Sequence, residues 1–590
     1  MDKIVCDVCI IDSGLWDNES ILKHNIVGGI SVIYKNLKYV ICEEYMDNIG
    51  HGTAIANIIC KENPNIKLFI VKIFDDEMKC DEEALSLAFE YVEKNVICKY
   101  INCSFGILKG DILERIHENC KKISDKGVLI ISSYDNRGAI SYPAAFEEVI
   151  GVSTSDLCKT KDEYIVVKNS RVDILGKGTY QRVKWKNKYI PIWGSSFATA
   201  YITALLCKNN FFGKKNIVMK YLELNAKEVI ENEVEDESKR CPKIKKAILM
   251  PYNKEIKNIV KFSNLINFKI CGIYDIKLSC NVGVLYNGFN VQGKVEDIEH
   301  IDWEGDFDTI IIGHIQKLEN ISGKSIGKKI INNAIMHHKQ IVAFDKELMQ
   351  YNNVYVPYIS SKNVQNQEFD KLDLINTPVL SVFGTSSNQG KFTVQLYLRT
   401  MFLQKGYTVG QIGTEPSSEL FGFDNVYPMG YNSNIEIQGY KSVLYLNKIM
   451  KRISEKKPDI IITGSQSGTS LYWKGNLKQY PVRQIEFLMG TLPDAVVLCV
   501  NYYDDIEYIK KTMQLIEGIS GKIIAVCVYP YKFVDDWDMI ISHLKLCSEY
   551  ELKEFKNKIN NIFSLPCYNI ECLEDREDLF KTCLRFFGGE

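Results

Sequence analysis

Short apolar runs that alternate with helix-like stretches constrain this chain more than any other feature. VCDVCIID, KLFIVKIF, KYINCSFG and GVLIISS recur between Val5 and Ser133, with DEEALSLAFEYVEKN between two of them. Apolar runs of this kind read as strands buried on both faces. Alternation with helices predicts a parallel α/β sheet, because parallel neighbours need a crossover connection.

The pattern starts again twice. AILM, KICGIYD, FDTIIIG and QIVAF suggest a second α/β unit from about Ile244. PVLSVFG, PDIIITG, DAVVLCV and KIIAVCVYP suggest a third from Pro378. A chain of 590 residues is too long for one core. The expected organisation is a first domain over 1–224, a linker over 225–243 carrying NEVEDESKR, a second domain over 244–372 and a third over 373–590. The polar stretch SSKNVQNQEFDKLD (360–373) reads as a second linker.

The formal net charge is -2, so no global field favours nucleic acid or an anionic membrane. No apolar run reaches the length of a membrane span, and the N-terminus lacks the pattern of a secretion signal. The expectation is a cytoplasmic protein with neither nucleic acid nor membrane as partner. The 19 cysteines then read as reduced thiols rather than a disulfide framework. Cys6 and Cys9 have C-x-x-C spacing, but no second pair accompanies them and they fall in a strand, so a structural role is expected.

Three motifs carry chemistry in the order Asp, His, Ser. Asp12 ends an apolar strand in Ile10-Ile11-Asp12-Ser13-Gly14. His51 lies in Gly50-His51-Gly52-Thr53-Ala54 before the helix-like IANIIC. Ser196 lies in Gly194-Ser195-Ser196-Phe197-Ala198-Thr199 before another apolar helix. A serine hydroxyl becomes a nucleophile when an imidazole takes its proton, and a carboxylate fixes the imidazole tautomer. Asn136, after the strand GVLIISS, is the expected side-chain donor to the oxyanion, with the Ser196 amide as the second donor.

These motifs, with N-x-S-x-G at Asn102 to Gly106 and D-N-x-G at Asp135 to Gly138, resemble those of the subtilisin-like serine peptidases over residues 1–224. SYPAAFEEVIGVS, from Ser141 to Ser153, is similar to the family segment after the oxyanion asparagine. The resemblance implies a parallel sheet between helices and a peptide or protein substrate. It also implies that Asn102, Cys103, Ser104, Phe105 and Gly106 form the edge along which that substrate lies. Three residues depart from the family pattern: Ser195 stands for threonine, Ala200 for proline, and Asp135 for the glycine before the asparagine. Secreted members carry a pro-region, whereas Asp12 lies almost at the start here, so any folding aid is expected from elsewhere in the chain or is unneeded. No cofactor is expected for the peptidase, and no acidic loop names a metal site.

The third domain opens with a strand, then Gly384-Thr385-Ser386-Ser387-Asn388-Gln389-Gly390-Lys391-Phe392-Thr393, then a helix. Backbone amides and a helix N-terminus in such a loop cradle phosphate, and the lysine adds charge. Gly384, Thr385, Asn388, Gly390, Lys391 and Thr393 are the candidate ligand residues, for ATP or another nucleotide with magnesium. The loop holds one residue more than the common P-loop spacing.

This part resembles a bacterial P-loop family that includes D-glutamate N-acetyltransferase-like proteins, through Gly384 to Thr393, Thr408 to Thr414, Asp459 to Ser467 and Leu488 to Val500. Residues 244–372 resemble that family's Rossmann-like N-terminal domain. Thr463-Gly464-Ser465-Gln466-Ser467 lacks the glutamate the family tends to carry, and Glu415 is a candidate replacement. In the middle domain Asp275 follows no G-x-G-x-x-G and reads as structural; His337-His338 falls in a helical stretch and reads as surface.

The leading reading is a serine endopeptidase performing limited intracellular proteolysis, in the manner of peptide maturation with a precursor peptide as substrate, fused to a nucleotide-binding module. One alternative is a nucleotide-dependent transferase or ligase on an amino acid or peptide, with an accessory peptidase. Another is a non-catalytic peptide-binding protein, and an inherited P-loop scaffold would brace the peptidase without chemistry.

Overall fold

The protein is described by a computed structural model, which covers every residue except 1–2, 17–23, 109, 111, 137, 186–187, 232–240, 352, 362–370, 431–432, 473, 478–479, 535–542 and 589–590. NEVEDESKR and most of the second expected linker lie outside the described residues. The chain packs as two compact units. One comprises Met1–Val234 with Gln365–Leu374, the other Glu235–Val364 with Ile375–Glu590.

The first unit is built on a ten-stranded sheet. The apolar runs form its interior strands Val8–Asp12, Leu68–Lys72, Tyr100–Cys103 and Leu129–Ser133. Val8–Asp12 runs parallel to Tyr100–Cys103 on one side and to Leu68–Lys72 on the other. Helices cover both faces. On one, His51–Glu62 and Ser195–Lys208 pack over Ile10, Ile70 and Ile131. On the other, Glu82–Asn95 and Leu113–Asp125 cover Cys9, Ile11 and Ile101. Asp81 starts the first of these as its N-cap, accepting from Glu83 N–H. Neighbouring positions on one strand thus serve opposite layers, and Cys6, just before the strand, joins Cys9 in the second layer, so both are buried thiols rather than a surface pair. Glu228–Glu231, in the stretch whose charge suggests a linker, is an edge strand paired in parallel with Tyr164–Lys168. Ladder pairing uses the backbone and leaves its glutamates on the surface.

The second unit holds a six-stranded and a seven-stranded sheet. The first has Lys246–Met250 inside, between Lys269–Asp275 and Thr309–Ile312, followed by Gln340–Ala343. In the second, Val379–Gly384 lies between Ile460–Gly464 and Ala495–Asn501. All these pairings are parallel. One apolar cluster joins Leu249, Val342 and Phe344 of the first sheet to Phe392, Leu396 and Phe421 beside the second. The two α/β halves therefore share a core. His337 and His338 follow the helix Ile326–Met336 rather than lying within it, with His337 Nδ1 2.8 Å from Glu304. Among the described residues no helix is long and apolar enough to cross a membrane.

Candidate active site

Asp12 is the last residue of a fully buried strand and has no exposed surface. His51 is the first residue of helix His51–Glu62. Gly50 enters that helix at φ 106, a left-handed conformation that glycine adopts without steric cost. The ring is thereby brought to the carboxyl end of the strand Val8–Asp12, with His51 Nδ1 2.7 Å from Asp12 Oδ1. A carboxylate only accepts, so Nδ1 carries the hydrogen and Nε2 is the basic nitrogen of the neutral ring. The Ser13 N–H donates to the same oxygen at 2.7 Å. Burial disfavours the imidazolium, but the charge and hydrogen bond of Asp12, with the charge of Asp47, outweigh it. The pKa of His51 therefore lies above the ordinary 6.5.

Asp47 is absent from the sequence reading. It has no exposed surface. Its Oδ1 accepts from Ser13 Oγ, Ile49 N–H and Gly50 N–H, and its Oδ2 from Thr53 N–H and Thr53 Oγ1. The bonds to Gly50 and Thr53 satisfy donors that a helix start leaves orphaned, and Ser13 ties this cap to the residue after Asp12. Asp47 therefore sets the angle at which His51 meets Asp12. An acidic residue just ahead of a glycine-led helix start was the available signal.

Ser196 lies in the first turn of helix Ser195–Lys208, which Gly194 enters at φ 121. Its hydroxyl donates to the Ser104 carbonyl oxygen at 2.8 Å rather than to His51, and its N–H has no acceptor among the described residues. Asn136 sits beside it. Ser195 N–H donates to Asn136 Oδ1 at 2.9 Å, which occupies the amide oxygen and leaves Nδ2 as the free donor end. The Ser195 hydroxyl donates to the Tyr134 carbonyl. A Cβ on Gly194 would stand 2.7 Å from Asn136 Nδ2, so the approach of this amide requires glycine there. Asn136→Ala is expected to lower kcat for peptide hydrolysis by about 10²–10³-fold with little change in KM, the effect of losing one oxyanion donor; steady-state kinetics on a peptide substrate would measure it.

Asn102 and Cys103 are wholly buried and Ser104 nearly so, whereas Phe105 and Gly106 are half-buried. Asn102 Nδ2 donates to Ser104 Oγ, and Thr203 Oγ1 donates to Asn102 Oδ1. These side chains thus lash the segment to the serine-bearing helix; Asn102 and Cys103, expected at a substrate edge, lie in a strand paired on both sides, and only the backbone beyond Cys103 can face a peptide. Gly106 lies so close to Ser141 that a Cβ would come within 2.3 Å of its Oγ.

Residues 371–373, polar enough to read as linker, are instead packed on this unit. Lys371 is 7% exposed, and its Nζ donates to the Asp135 carbonyl at 3.3 Å. Ile140 N–H donates to the Leu372 carbonyl at 3.0 Å, and Asp373 pairs with Arg171 at 2.6 Å. They brace the loop that carries Asn136.

In the second unit Gly384 ends the strand Val379–Gly384, and Lys391 begins the helix Lys391–Gln404. Asn388 and Gly390 have φ of 60 and 74. Thr385 Oγ1 bonds the Asp504 carboxylate, and Gln389 closes the loop through Ser386 N–H. Lys391 is 7% exposed; its Nζ donates to the Ser386 carbonyl at 2.5 Å. Burial holds this lysine down to about 8; Cys499, Glu415 and Asp504 act in the opposite sense, and Lys254 adds to the lowering. Thr393 is half-buried on the second helical turn-forming position after Lys391. In the middle domain Asp275 accepts from Tyr252 N–H, Ile276 N–H and Asn281 Nδ2, the bonding of a structural carboxylate.

Residues 6–233 match the model of the subtilase family, Peptidase S8, and residues 370–534 match a P-loop domain of unknown function, DUF1611. The major intracellular serine protease of Bacillus subtilis strain 168 is 27% identical over 218 residues, which is 34% of this chain and 66% of that protein. The matched stretch thus spans just under two thirds of the relative's length. The crystal structure of a lanthipeptide protease aligns at 17% identity and a TM-score of 0.30, over 38% of this chain and 79% of the other. That of a cold-adapted subtilisin-like serine proteinase aligns at 18% and 0.31, over 38% and 84%. Residues 6–233 of this chain are thus similar to the subtilase family, and residues 370–534 to the DUF1611 P-loop domain.

Proposed function

We propose that the chain is an intracellular endopeptidase that makes limited cuts in a peptide or protein, such as a precursor peptide, and that its P-loop domain binds a nucleotide. The 2.7 Å bond between His51 and Asp12, at the foot of the serine-bearing helix, chiefly supports the peptidase role. Ser196 Oγ leaves the Ser104 carbonyl and attacks the scissile carbonyl carbon as His51 Nε2 takes its proton. Asp12 holds the imidazolium. Asn136 Nδ2–H and Ser196 N–H receive the oxyanion. His51 then returns the proton to the departing amine, and water repeats the sequence on the acyl-enzyme. The relative's name supports an intracellular setting. Incubating the full chain with a mixed peptide library and mapping the cut bonds by mass spectrometry tests the reading. A narrow set of cleavages is expected; indiscriminate digestion would contradict limited proteolysis.

The nucleotide reading rests on a different observation. Lys391 is a buried cation held by a carbonyl, at a helix N-terminus whose first amides have no acceptor among the described residues. A bound phosphate would supply the missing negative charge. Gly384 to Thr393 would hold the phosphates, with Asp504, bonded to Thr385 Oγ1 of that loop, the carboxylate that would serve an accompanying magnesium ion. Lys391→Ala is expected to weaken ATP binding at least about tenfold, as loss of a charge-assisted contact implies. Calorimetric titration would show it, and equal affinity in both proteins would remove this assignment.

A further inference from the structure

The second unit contains another histidine–carboxylate pair that neither the peptidase nor the P-loop residues account for. His314 follows the strand Thr309–Ile312 and Asp345 follows the adjacent strand Gln340–Ala343. His314 Nδ1 lies 2.6 Å from Asp345 Oδ1, with side chains 19% and 3% exposed. The two carboxylate oxygens divide their tasks. Asp345 Oδ2 accepts from Ile315 N–H and Gln316 N–H, which caps the helix Gln316–Ser322. Capping therefore leaves Oδ1 for the ring. His314 Nε2 has no hydrogen-bond partner among the described residues.

The pair lies at the carboxyl ends of parallel strands, where open α/β sheets bind ligands. It is also linked to the P-loop. Asn253 Nδ2 donates to the His314 carbonyl at 3.2 Å, and the next residue, Lys254, pairs with Glu415 at 3.4 Å. Glu415 follows the strand Val409–Gly413 of the other sheet. Phe344, next to Asp345, and Phe392, next to Lys391, belong to one apolar cluster. Burial opposes charge on His314, but the hydrogen bond of Asp345 and the carboxylates of Glu255, Asp345 and Glu415 hold its pKa above the ordinary histidine value.

We propose that His314 and Asp345 are the proton-accepting dyad of a second active centre, which transfers the terminal phosphoryl group of a nucleoside triphosphate held by the Lys391 loop to a hydroxyl acceptor. This rests on the nucleotide reading above. His314 Nε2 takes the acceptor's proton as its oxygen bonds to the terminal phosphorus. The bond from that phosphorus to its bridging oxygen breaks, and the nucleoside diphosphate leaves with the electron pair. The product is a phosphate monoester, or inorganic phosphate when water is the acceptor. Asp345 holds the ring and its charge, as Asp12 does for His51.

The test uses the full chain with MgATP, measuring affinity by calorimetry and phosphate release in water. The wild type is expected to bind ATP and release phosphate. His314→Gln and Asp345→Asn are each expected to lower release about 10²–10⁴-fold, the range for general-base loss, with ATP affinity within about twofold of wild type. Unchanged fluorophosphonate labelling of Ser196 and unchanged thermal unfolding would show that both variants fold. ATP binding without phosphate release by the wild type, or release by both variants at the wild-type rate, would overturn the dyad and leave the nucleotide reading standing. No ATP binding by the wild type would overturn both.

Discussion

Ser196→Ala is expected to abolish peptide hydrolysis, with kcat falling by about 10⁶-fold, and to leave the fold intact. A drop of that size follows when the nucleophile of a serine–histidine–aspartate unit is removed, because its members act together. The residual rate comes from the oxyanion donors and binding groups, which this substitution spares. The structural cost is small. Ser196 Oγ makes one hydrogen bond, to the Ser104 carbonyl, which contributes about 1 kcal/mol. Helix Ser195–Lys208 keeps its packing through Phe197, Ala198 and Ile202. Peptide-cleavage assays with circular dichroism on the same preparation would check both halves. Retained cleavage would assign the activity to another nucleophile.

The largest stability effect is expected at Asp47. Replacing it with alanine removes the acceptor for Ser13, Ile49, Gly50 and Thr53 together. Those donors are buried or nearly so, and each unmet one costs about 1–3 kcal/mol. The terms are not additive, since water enters the gap, and a total of about 3–5 kcal/mol is expected, as for breaking a buried charged network. Denaturant unfolding monitored by fluorescence would measure it. Hydrolysis is expected to fall as well, through misplacement of His51, while Asp47→Asn retains part of both. A loss below 1 kcal/mol would show that the cap is not needed to hold the His51 helix.

The sheet strands and the Asp12, His51 and Ser196 positions were legible because apolar runs and short glycine-flanked motifs are local properties of the sequence. Asn136 was legible for the same reason. What escaped depends on distant residues meeting. Asp47 is one acidic residue among several near the start of the His51 helix, a weak signal, and its buried bonds to Gly50 and Thr53 single it out. His314 and Asp345 follow different strands and are separated in sequence by two helices, so no spacing joins them. Lys371 to Asp373 look like linker because polarity reports solvation only when a segment stays on its own, and here it packs beside Asn136. The middle and third domains read as separate units because the core they share pairs apolar residues far apart in sequence.

Labelling of the wild-type chain with a fluorophosphonate, followed by peptide mapping, tests the central claim most directly. Stoichiometric modification at Ser196 is expected, with a rate that falls as pH drops through the raised pKa of His51. The sign follows from the base: a raised pKa keeps the ring protonated to higher pH, so the acid limb lies above pH 6.5 rather than below it. His51→Ala is predicted to lose the labelling. No modification of the wild type, or modification at another serine with Ser196 untouched, would contradict the account.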